Sequence, residues 1–151
     1  MISVDLAQDL KRAGLRWRPA AGDRFVLPGR DMDEDVFTLA EMTVEVHDHP
    51  SGRVIGFNGT TEWALDSVDE PDALWMPAEH QLRELLGERF TRLERRDVGT
   101  GQLFRVIVLD EHGGEVFEDA DAACAYARAL LRQLRGSSRP SDDERASSTA
   151  A

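Results

Sequence analysis

Glu45, His47 and His49 stand at alternate positions of the stretch TVEVHDH. A β-strand running through them would carry all three on one face. Two imidazoles and a carboxylate form an N/N/O set that suits a divalent ion, with metal-assisted hydrolysis as the matching chemistry. A further ligand would have to come from His80 or His112. The turn residues that follow weaken the set, because hairpin pairing assigns His49 to the loop. The structural alternative is a solvated histidine pair beside a hairpin turn.

Other chemistry-bearing residues are less well arranged. Asp31, Asp33 and Asp35 open an acidic run that mimics the start of a calcium loop. Val36 and Met42 occupy the places where that loop needs glycine and a closing glutamate, so a solvated acidic loop is expected. Glu41, Glu62 and Asp66 supply carboxylates for acid–base work, but no spacing fixes a pair with different environments. Cys124 lies in AACAYA, the setting of a small packed thiol rather than of an activated nucleophile. The chain contains no GxSxG, HExxH or CxxC motif. No catalytic residue is expected.

The aromatic residues offer a different kind of site. Trp17, Trp63 and Trp75, with Phe25, Phe57 and Phe90, are candidate walls of a ligand groove at a sheet edge. Aromatic side chains of this kind usually fill cores. Trp17, Phe57, Trp63 and Trp75 are nevertheless the ligand-binding candidates.

Composition narrows the partners. With 29 acidic against 18 basic residues, the formal net charge of −11 repels phosphate backbones and anionic membranes. Nucleic acid is excluded as an expected partner, and a basic protein surface is the complementary one. Lys11 is the one lysine, in DLKRAG with no glycine before it, so a phosphate-cradling P-loop is excluded. No cofactor is implied. No apolar run approaches the ~18–20 residues that cross a bilayer, and the first residues lack a signal-peptide pattern. The single cysteine cannot form an internal disulfide, and a cytoplasmic location is expected.

The elements that must position these residues are readable from periodicity. Ser3 caps a helix to Ala13 with Ile2, Leu6, Leu10 and Ala13 as its apolar stripe, and Gly14 stops it. Residues 24–27 read as a short strand. Val44 and Val46 alternate with polar residues, and pairing around a His49–Gly52 loop sets Asp48 against Arg53, Val46 against Ile55 and Val44 against Phe57. A three-residue Asn58–Thr60 loop would then set Ile55 against Trp63, with Val68 to Asp72 as a polar linker. Pro77 starts a second helix with Leu82, Leu85, Leu86 and Phe90 facing inward. LFRVIVL at 103–109 is a strand covered on both faces. Asp119 or Asp121 caps a last helix with Ala123, Tyr126, Ala127, Leu130 and Leu134 on its buried side.

These elements predict an α+β fold: one domain over 1–135, an antiparallel β-meander sheet with three helices packed mainly on one face, and a disordered tail at 136–151.

Three segments, GLRWRPAAGDRFVLPGRDMDEDVF, TVEVHDHPSGRVIGFNGTTEWALDSV and ALWMPAEHQLRELLGERF, together resemble a family of small actinobacterial proteins commonly named pilus assembly proteins. The resemblance covers roughly Met1 to Phe90. It implies an accessory role in pilus or secretion assembly and carries no catalytic residue. The residues themselves favour a non-enzymatic protein- or ligand-binding module, with a small metal-dependent enzyme as the alternative.

Overall fold

The computed structural model describes residues 1–29, 35–39, 44–50, 52–57, 67–69, 72–111 and 113–137. Helix α1 (Val4–Arg12) begins at Ser3, whose hydroxyl oxygen accepts from the Leu6 amide at 3.2 Å. It ends where Leu15 N donates to Leu10 O and Gly14 N donates to Lys11 O, the paired bonds of a Schellman closure. That closure needs a left-handed residue, and Gly14 supplies it at φ +99°.

Among the described residues nine strands form three antiparallel sheets, so the fold is α+β. The first sheet has the order β2 (Phe37–Thr38), β1 (Arg24–Val26), β6 (Leu74–Trp75). The second runs β3 (Val44–His49), β4 (Gly52–Phe57), β5 (Ser67–Asp69). The third is the meander β7 (Phe90–Val98), β8 (Gly101–Asp110), β9 (Gly113–Asp119).

Helices α2 (Glu79–Leu86) and α3 (Ala122–Ser137) complete the fold. Among the described residues the three α-helices gather on one face of the third sheet: α3 lies on β8 and β9, and α1 and α2 pack on α3. The meander they cover is therefore β7–β9 rather than the one built on residues 43–68. Val106 and Val108 point inward from β8, against an α3 face of Ala123, Tyr126, Ala127 and Leu130. Small alanines let the helix approach the sheet closely, and Leu10 and Leu82 close the cluster from α1 and α2. A bulge between Phe90 and Arg92 turns Phe90 toward this core, where its ring meets Tyr126 at 5.3 Å.

Several expectations are corrected. The first-hairpin register is as anticipated, but His49 pairs with Gly52 and is the last residue of β3, not a loop residue. Ile55 pairs with Val68, not Trp63, because β4 takes its second partner from Ser67–Asp69. The cross-strand match is then between two β-branched residues, which favour the pleated sheet. Val68 and Asp69, read as the start of a linker, thus belong to a strand.

Leu85, expected to face inward on α2, is 40% exposed. Leu109 is 52% exposed, so β8 is covered on both faces only around its centre. Helix α3 runs to Ser137, past the expected limit of 135, while 138–151 lie outside the described residues.

The first sheet separates two cores. Along β1, Val26 faces the main core while Phe25 and Leu27 face a second cluster. Along the β6 segment, Leu74 and Met76 face the main core while Ala73 and Trp75 join that second cluster. Period-two alternation in a few residues thus gives a sheet buried on both sides.

Candidate functional site

The second core is aromatic. Trp17 and Phe25 ring centres are 5.7 Å apart, Phe25 and Phe37 are 5.4 Å apart, and Trp17 and Trp75 lie at 6.5 Å with planes within 8°. Strand pairing brings Phe25 opposite both Phe37 and Trp75. Each such pair contributes about 0.5–1.5 kcal/mol beyond the area it buries.

One acidic residue sets the orientation of Trp17. Asp23 is only 3% exposed, and it takes three hydrogen bonds. Its Oδ2 accepts from Trp17 Nε1 at 2.8 Å and from Ala20 N at 2.9 Å, and its Oδ1 accepts from Gln81 Nε2 at 2.6 Å. Gln81 in turn accepts from Ala78 N at 2.9 Å, which caps α2. Asp23 therefore ties the indole, the 20–23 turn and the start of α2 to one point. Buried carboxylates persist only with such satisfaction.

A cavity of about 200 Å³ opens beside this cluster. Its walls are Trp17, Leu15 and Arg16 from the segment after α1, Ala7 and Lys11 from α1, and residues 73–75. Ala7 and Lys11 are one helical turn apart and share a face. The Gly14 closure turns Leu15–Trp17 back beside that face, and the Lys11 ammonium donates to Ala73 O at 3.2 Å, joining α1 to the entry of β6. The Trp17 indole N–H is held by Asp23. Trp75's is closed off from solvent, with no hydrogen-bond partner among the described residues. The charged residues among the cavity walls are Lys11 and Arg16.

A larger cavity of about 290 Å³ lies between the end of α3 and β8, lined among others by Arg89, Asp110, Glu115 and Arg132. Its charges are of both signs, with Arg132 Nε 3.3 Å from Glu115 Oε1, so it has no selective polarity.

Of the four aromatic candidates, Trp17 and Trp75 come together at the smaller cavity. Phe57 belongs to β4 in another sheet, opposite Val44, and Trp63 lies outside the described residues. Phe90 is in the main core and Phe25 is buried beneath the tryptophans, so neither lines the opening. Sequence reasoning passed over Arg16 and Asp23 and weighed Lys11 only for a phosphate loop. The readable signal was the Ala7–Lys11 spacing one turn before the Gly14 stop.

Glu45, His47 and His49 occupy alternate positions of β3, opposite Gly56, Val54 and Gly52, none of which carries a ligand side chain. Among the described residues no group of three or more His, Cys, Asp or Glu is placed to hold a metal ion. His80 is on α2 and His112 lies outside the described residues, as do Asp31, Asp33, Glu41, Glu62 and Asp66. Cys124 is half-buried on α3. Burial first, then the neighbouring Asp119 and Asp121, push its thiol above the ordinary value, which leaves it a poor nucleophile.

No protein-family model, curated protein or solved structure matches the chain.

Proposed function

We propose that this chain is a non-enzymatic ligand-binding module whose site is the groove between Trp17 and Trp75. The observation that carries the reading is the 200 Å³ cavity walled by two indoles and by Leu15, with one indole fixed by a buried carboxylate. Rigid apolar walls with a few charged groups at the opening are what a small-molecule site requires.

A thermal-shift screen of single-ring fragments tests it. Fragments that stabilise the wild type should lose their effect on Leu15→Trp, which fills the groove from a half-buried position. Fragments that stabilise both proteins equally would contradict the reading.

A second reading, a metal-dependent enzyme at Glu45, His47 and His49, is supported by the extension of β3 to His49. Its test is the metal content of protein purified without chelator, compared with His47→Ala/His49→Ala. About one ion per chain in the wild type and none in the variant is the outcome that would favour it. A role beside pilus or secretion components rests on the family resemblance alone, and the net charge of −11 favours a basic surface on any protein partner.

A further inference from the structure

We infer that the outer edge of β7 binds a second copy of this chain, strand to strand and antiparallel, about a two-fold axis at Leu93. Strand β7 is nine residues long and, among the described residues, pairs on one side only, with β8. Its other side presents a row of main-chain donors and acceptors, the template that a further strand completes.

The side chains at that edge match themselves. Leu93 stands opposite Val106, so it lies on the helix side of the sheet. Helix α3 lies on β8 and β9, and Leu93 on the edge strand stays 36% exposed. Arg92 and Glu94, opposite Ile107 and Arg105, lie on the other side. Antiparallel pairing centred on Leu93 sets Leu93 against Leu93 and each Arg92 against the second copy's Glu94. Two opposite-charge pairs then flank one apolar pair. Within its own chain Arg92 reaches Glu94 Oε1 through Nε at 2.8 Å. Its side chain is 60% exposed, and among the described residues the rest of its guanidinium has no partner.

No other register centred between Arg92 and Asp97 does the same. Centred on Glu94, the pairing sets glutamate against glutamate and Arg92 against Arg96. Centred on Arg92, Arg95 or Arg96 it sets arginine against arginine, and centred on Asp97 it sets aspartate against aspartate. Like charges directly opposite each other destabilise a sheet. The opposite edge strand, β9, carries Glu115, Glu118 and Asp119 and no base, so two such edges repel. Strand β7 instead balances Arg92, Arg95 and Arg96 against Glu94 and Asp97, within a chain of net charge −11. The bulge between Phe90 and Arg92 interrupts the ladder at one end, so the paired stretch is short and the dimer weak.

The test reads both association and register on the full chain. Sedimentation equilibrium up to about 1 mM chain should show monomer and dimer in exchange. Leu93→Lys, which sets two ammonium groups face to face, should raise the dissociation constant about tenfold. Arg92→Gln, which removes both charge pairs, should raise it about fivefold. Both positions are exposed, and circular dichroism on each variant separates weaker association from misfolding.

Leu93→Cys, Glu94→Cys, Arg95→Cys and Arg96→Cys, each in a Cys124→Ser background, read the register on mild oxidation. A cysteine on the axis meets its own copy at a Cα separation of about 4.5–5.5 Å, which a disulfide spans. Leu93→Cys should therefore close about tenfold faster than the other three. A monomer at every concentration would overturn the dimer. Association unchanged by Leu93→Lys would overturn the β7 edge as its site. Fastest closure at position 94, 95 or 96 would overturn the Leu93 register and the charge pairing that defines it.

Discussion

Trp17 Nε1 donates to Asp23 Oδ2 at 2.8 Å, and this bond is made inside the protein, where both partners are more than nine-tenths buried. It fixes the indole that forms one wall of the groove. It also explains how a carboxylate is retained in an aromatic cluster, since two other donors, Ala20 N and Gln81 Nε2, complete its shell.

Asp23→Ala should therefore strand three donors at once and cost about 3 kcal/mol or more of unfolding free energy, at ~1–3 for each buried group left unpaired. Asp23→Asn should cost less, about 1–3 kcal/mol, because one amide oxygen can still serve Trp17 and Ala20 while Gln81 loses its acceptor. Urea melts of the two variants check the order. A result with Asn worse than Ala would contradict the hydrogen-bond assignment.

Leu10 is fully buried where α1 meets α3, whereas Leu109 stands 52% exposed on the outer face of β8. Leu10→Ala is expected to cost about 2–5 kcal/mol. Leu109→Ala is expected to stay within about 0.5 kcal/mol of wild type. Denaturant midpoints on the pair would show whether LFRVIVL is covered at its centre alone.

The second hairpin register can be read by cross-linking in a Cys124→Ser background. Ile55 and Val68 are direct partners across β4 and β5, a separation a disulfide can span. Ile55→Cys/Val68→Cys should form the bond on mild oxidation, seen as a mobility shift that reductant reverses. Efficient closure of Ile55→Cys/Trp63→Cys instead would favour the shorter hairpin.

Asp121 links pH to stability. Burial alone would raise its carboxyl, but the hydrogen bond from the Met1 amine at 2.9 Å and the amide of Cys124 outweigh that and hold it below the ordinary 3.8. A group depressed by folding stabilises the native state above its unfolded value and loses that contribution as pH falls through the folded one. Stability should therefore fall as pH drops below about 4. Asp121→Asn, which keeps a good helix cap, should flatten that part of the profile. An unchanged acid slope in thermal melts from pH 5 to 2 would count against the ion pair.

Long periodic elements were legible in the sequence, and short ones were not. Ser3, the Leu6–Leu10 stripe and Gly14 specify α1 by local chemistry, and the α3 stripe is likewise continuous. β6 has two residues, too few to display a period, and Trp75 acquires its place only through pairing with Phe25.

The Ile55–Val68 match depends on a choice of loop length that turn chemistry alone did not decide. Leu85 satisfied the helical spacing of its neighbours yet faces out, because the stripe gave the inward side of α2 to Leu82 and Leu86. The site was half legible. Tryptophans are conspicuous in any chain, but Asp23 looks like an ordinary turn residue until Gln81, distant in sequence, is folded against it. The isolated lysine was weighed only for a phosphate loop, since nothing local shows that Lys11 reaches Ala73.

The most direct measurement follows the three indole N–H signals by proton–nitrogen NMR as a single-ring fragment that stabilises the wild type is added, with each signal assigned by single Trp→Phe substitution. Saturable shifts at Trp17 and Trp75, abolished in Leu15→Trp, are the predicted result. Saturation confined to Trp63, or shifts that survive in Leu15→Trp, would contradict the groove as the binding site.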